Sequence, residues 1–169
     1  ARQVMDESDP GPDACPMWHA VNLSLALHDD VDEEEKEQRF FRAIAFDPLD
    51  PDVYLTRVHQ LMPRWGGSFE EIESFARLAG EMTGAERGLE MYARLYDYIR
   101  DYDHLGDTEV DIPDMITGHL AWADRWPTQS NVNGLARFAY DIQDHKLLRH
   151  VLETRLHEIH MRYWDDEAM

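Results

Sequence analysis

The sequence predicts an all-α protein in which about eight helices stack as antiparallel hairpins. Three observations carry this reading. Apolar residues recur at helical spacing in long stripes: Ile72, Phe75, Ala76, Ala79 and Met82, then Leu89, Tyr92, Ala93, Tyr96 and Ile99, then Leu148, Leu152, Leu156, Ile159 and Tyr163. Two capping boxes, Ser68 with Glu71 and Thr83 with Glu86, mark helix starts. No segment alternates apolar and polar residues for long enough to argue a strand.

The elements follow in order. Residues 1–16, polar and rich in Pro and Gly, read as a loose arm. Helices are expected near 17–28, 32–46, 52–61, 69–82, 85–100, 113–124, 130–140 and 145–163, in a single domain over 17–164. An acidic tail, 165–169, follows. Pro48, Pro63, Pro113 and Pro127 fall between the stripes, where helices end or begin. Gly84 between two adjacent stripes predicts a tight antiparallel turn. Residues 101–111 form the longest internal loop. Phe40, Ala43 and Pro48, followed by Tyr54, match part of a tetratricopeptide unit, but the 34-residue period is not kept. The reading is a degenerate, tetratricopeptide-like repeat.

The chain has 169 residues, 43% of them apolar, enough for one folded core. Its 35 acids against 16 bases give a net charge of -19. That charge disfavours nucleic acid and anionic membrane as partners and favours a basic protein. The lone cysteine, Cys15, allows no intrachain disulfide and fits a reducing compartment such as the cytoplasm. No apolar run reaches the length of about 18 residues that a membrane span needs. The chain opens on Ala1, compatible with a processed or cloned start, so a removed N-terminal signal stays open.

The segments "AIAFDP", "LMPRWGGSFEEIESFA", "LYDYI" and "NVNGLARFAYDIQDHKLLRHVL" resemble an uncharacterised bacterial family of helical, tetratricopeptide-like proteins carrying a Pro-Arg-Trp-Gly-Gly-Ser motif. The resemblance would cover roughly 40–164. It implies an all-α fold and a bacterial source, and it implies no reaction and no catalytic residues.

Within "PRWGGS", Pro63 should stop a helix, Gly66 and Gly67 should make a corner, and Ser68 should cap the next helix. Trp65 should pin the loop against the stack, and Arg64 should bond helix-end carbonyls or a carboxylate. The alternative is that Arg64 and Trp65 are displayed to a partner, as both types concentrate binding energy. The run "DDVDEEEKE" is the densest anionic patch. Asp32 should cap a helix and Glu33, Glu34 and Glu35 should favour its dipole; together with Glu37 they are also the best place for a basic partner. As calcium loops this run and the loop from Asp101 both fail. The first has Glu35 where glycine belongs and Phe41 at its twelfth position; the second has Leu105 and Ile112 where ligands belong.

His150, Glu153, His157 and His160 would share one helix flank. Spread over about 15 Å at 1.5 Å per residue, they cannot meet one ion without a facing helix. No catalytic or cofactor signature is present, and none is expected. Function is therefore expected to be non-enzymatic: an acidic interaction module, of immunity or antitoxin type, that inhibits a basic protein. A metal-dependent hydrolase using the C-terminal histidines, and a helical-repeat scaffold for peptides, are the alternatives.

Overall fold

The computed structural model describes residues 16–26 and 31–164. Among them the chain forms seven α-helices: α1 (Pro16–Leu25), α2 (Glu33–Ile44), α3 (Pro51–Gln60), α4 (Phe69–Arg100), α5 (Ile112–Arg125), α6 (Gln129–Asp141) and α7 (His145–Thr154). Short 3-10 turns cover Pro63–Trp65, Leu105–Asp107 and Met161–Tyr163. No strand occurs among the described residues. The arm up to residue 15, with Cys15, and the tail at 165–169 lie outside the described residues.

Helix starts follow local chemistry. Asp32, Asp50, Ser68, Asp111, Thr128 and Asp144 each accept a backbone N–H from the first turn of the helix they precede. Pro51 and Pro113 occupy first-turn positions, where a missing N–H costs nothing.

The hairpin predicted around Gly84 is present. Gly84 (φ 54°, ψ -145°) and Gly88 (φ 7°, ψ -100°) leave helical geometry inside α4. A straight helix would part Glu73 from Tyr92 by about 28 Å. Instead the Tyr92 hydroxyl donates to Glu73 Oε2 at 2.9 Å and the Tyr96 hydroxyl donates to the same oxygen at 2.5 Å. The chain has folded back, so α4 consists of two antiparallel limbs, 69–83 and 89–100. The capping box expected of Thr83 and Glu86 is not formed: Thr83 lies inside α4 and its hydroxyl donates to the Ala79 carbonyl at 2.8 Å.

The hairpins stack in chain order. Helices α1 to α3 enclose Leu23, Phe40, Ala43, Val53, Tyr54 and Val58, and Phe75 on the first limb closes against Phe40 and Tyr54. The second limb receives α5 at very close range. A Cβ on Gly118 would stand 2.0 Å from the Leu89 carbonyl oxygen and 2.7 Å from Ala93 Cβ. A smaller core of Ala123, Val132, Leu135, Ala136 and Val151 joins α5, α6 and α7.

The C-terminal helix is shorter than predicted. It ends at Thr154 instead of reaching 163. The cause is capture of the following backbone by two amide side chains on α6. Gln129 Oε1 accepts the N–H groups of His157 and Glu158 at 2.8 and 3.0 Å. Asn133, fully buried, accepts from His160 N and Trp164 Nε1 at 3.0 Å each and donates to Glu158 O at 2.8 Å. Residues 155–164 therefore run along α6 as a strap, and Leu156, Ile159 and Tyr163 do not continue the stripe of α7.

Candidate functional site: an aromatic corner and an adjoining cleft

The "PRWGGS" segment is a tight corner joining α3 to α4. Pro63–Trp65 make one 3-10 turn, and Trp65 N and Gly67 N both donate to the Met62 carbonyl. The two glycines do different work. Gly66 takes φ 95°, a left-handed conformation that glycine adopts without strain. Gly67 has no positive φ, contrary to the expectation that both share one role. A Cβ there would lie 2.1 Å from the Leu61 carbonyl oxygen, so it is needed for close approach. Ser68 Oγ accepts the Glu71 N–H at 3.2 Å and donates to Glu71 Oε2 at 3.0 Å, so the box is formed.

Arg64 does what its helix-end role predicts. Its Nη2 donates to the Tyr102 carbonyl at 3.0 Å and lies 3.3 Å from Asp103 Oδ2, and its guanidinium stands 5.1 Å from the Tyr102 ring centre. It ties the corner to the end of α4. Trp65 does not pin the loop as expected: it is 47% exposed. Its ring lies beside that of His59, at 5.8 Å between centres. His59 also meets Tyr98 at 5.9 Å and Tyr102 at 5.5 Å, and its Nδ1 shares a 2.8 Å hydrogen bond with the Tyr98 hydroxyl. Burial and the Tyr102 hydroxyl push the Tyr98 phenol well above its usual range, so it stays neutral and is no base. The result is a surface cluster of one tryptophan, two tyrosines, a histidine and an arginine, with Tyr102 42% exposed. Sequence spacing singled out Arg64 and Trp65 but not the rings that α3 and α4 bring beside them.

The acidic run is largely committed within the protein. Asp32 caps α2 through the Glu35 N–H at 2.9 Å. Glu33 pairs with Arg57 and with Lys36, Glu35 pairs with Arg39, and Glu34 accepts from Gln38 at 3.3 Å. Burial works against the Glu33 charge, but the hydrogen bond and charge of Arg57 hold its carboxyl below the usual range. Glu37 is exposed.

The four C-terminal candidates do not share a helix face. His150 and Glu153 lie on α7, whereas His157 and His160 lie on the strap. Among the described residues, no group of three or more His, Cys, Asp or Glu could hold a metal ion.

Beside the corner, a cleft opens between the 101–110 loop and the 140–145 connection, with Tyr163 and Arg162 of the strap at one side. Arg100 and Arg137 on its wall are held by Asp97 and Asp141 at 2.7 Å each. Arg162 donates to Ser130 Oγ at 2.5 Å and to Tyr163 Oη at 2.6 Å. Gln143 at the rim carries φ 59°, the one positive φ outside glycine among the described residues. No protein-family model, no curated protein and no solved structure matches this chain.

Proposed function

We propose that the protein is a non-enzymatic interaction module that binds a basic protein through the corner around Trp65, and that it acts as an inhibitor of immunity or antitoxin type. The observation that carries the reading is the composition of that corner. Trp, Tyr and Arg are the residue types that dominate binding energy at interfaces, and here they are gathered, partly exposed and braced by Arg64. A net charge of -19 supports a basic partner by long-range steering. The inhibitor role rests on charge and size. The stacked hairpins and the contact of Phe40 with Tyr54 support a degenerate tetratricopeptide-like repeat, in line with the bacterial family the motif resembles. No helix among the described residues is long and apolar enough to cross a membrane. No observation favours the metal-dependent hydrolase.

The test is a pull-down with the whole chain, identification of the captured protein, and titration of that protein in purified form. Trp65→Ala should leave the melting temperature nearly unchanged, because half of the ring is already in water. It should cost about 2 kcal/mol of binding. Raising salt should weaken association. A Trp65→Ala variant that binds the purified partner like wild type would refute the reading.

A further inference from the structure

The cleft beside the corner has a floor and an uncommitted charge. Leu105, Val110, Ile112, Ile116 and Ile142 form the floor; each is partly buried against the main core and lines the opening. Of the charges in the walls, Arg100, Arg137 and Asp141 hold one another or Asp97, Asp103 holds Arg64, Arg162 is held by Ser130 and Tyr163 and also acts on Asp101, and Asp144 caps α7. Asp101 differs. Among the described residues it makes no ion pair and no side-chain hydrogen bond. Burial and the charge of Asp97 push its carboxyl above the usual range, against the pull of Arg100 and Arg162. A carboxyl in that state gains from an added cation, which would hold it ionised.

We infer that the cleft is a docking groove for an extended segment of a partner protein that alternates apolar and basic side chains. An extended chain presents alternate residues to opposite sides. Apolar side chains would settle on the floor while a lysine or arginine reaches Asp101. Two features identify this occupant: the charge complementarity of Asp101 in a chain of net charge -19, and continuity with the corner, since Tyr102 and Asp103 adjoin Asp101 on one turn of chain. The inference rests on the reading of a basic protein partner, and it is separable from the role of Trp65.

The experiment uses the whole chain and three labelled, amidated hexapeptides followed by fluorescence anisotropy at low salt. One alternates lysine with leucine, one glutamate with leucine, and one lysine with serine. The lysine–leucine peptide should bind, and the other two should bind markedly less. Asp101→Asn should weaken that binding about two- to fivefold. The cap bonds at this position come from the backbone N–H of Asp101, so the substitution leaves the helix end intact. Trp65→Ala should leave the peptide affinity unchanged even where it weakens binding of the partner through the corner. Equal binding of all three peptides, or no binding of any, overturns the inference. So does an Asp101→Asn variant that binds like wild type. Loss of peptide binding in Trp65→Ala alone would assign the peptide to the corner and overturn the groove.

Discussion

His119 offers the sharpest quantitative test of the fold. It is 1% exposed, packed between Trp122 and Phe138, and neither ring nitrogen has a hydrogen-bond partner among the described residues. Burial drives its titration down from 6.5 to about 4; Asp97, 3.6 Å away, opposes the shift and Arg100 adds to it. The folded value is depressed, so the unfolded chain binds the proton first as pH falls. Stability is fully present above the unfolded value and declines by about 1.4 kcal/mol per pH unit between 6.5 and 4. From pH 7.5 to pH 5 the expected loss from this residue is about 2 kcal/mol. His119→Phe keeps a ring between the two aromatic neighbours and removes the titration. The added volume costs about 1–3 kcal/mol, independently of pH. Urea unfolding of both proteins at several pH values between 7.5 and 5 gives the comparison. Glu33, held low by Arg57, loses stability as pH falls through its range, whereas Asp101, held high, does the opposite. Both are present in both proteins and cancel in the difference. The gap should move in favour of the variant by about 2 kcal/mol. Parallel stability curves would show that His119 titrates normally and that the junction of α4, α5 and α6 is wetter than described.

Three other substitutions read the packing directly. Gly118→Ala puts a methyl group into the Leu89 carbonyl and should lower stability by roughly 1–3 kcal/mol or more, seen as a lower melting temperature. Gly67→Ala should be the costlier of the two corner glycines because its Cβ meets backbone, while Gly66→Ala meets open space and should cost only about 1 kcal/mol of left-handed strain; equal melting temperatures for the pair would contradict this. Asn133→Ala leaves half-buried groups of the strap without their partner and should cost about 1 kcal/mol for each lost hydrogen bond. In hydrogen exchange, the amide of His160 should lose protection first.

Much of this fold is legible in the chain because helix formation is local. The stripes at Ile72–Met82 and Leu89–Ile99 became the inner faces of the two limbs of α4, and Ser68 capped as its spacing required. Arg64 found the helix-end carbonyl its position suggested. The failures share one cause. The pattern from Leu148 to Tyr163 fits a helix as well as any other, with no proline or glycine to stop it. It is stopped by Gln129 and Asn133, which are more than 20 residues away in sequence and whose amides outcompete the helix for backbone partners. The size of Trp65 predicts a ring that pins the loop against the stack, yet on the turn that Gly66 and Gly67 permit it stands half exposed.

The sequence by itself determined the all-α class, the hairpin at Gly84, the caps at Asp32 and Ser68 and the surplus of negative charge, since periodicity, capping and composition depend on near neighbours and simple counts. Only the tertiary structure decided which acids of the 32–37 run are neutralised, which rings gather around Trp65, and that Asp101 stands unpaired at the edge of an apolar floor. Those facts depend on residues such as Arg57, Tyr98 and Ile142 that come together through the stacking of hairpins, and no spacing along the chain records that meeting.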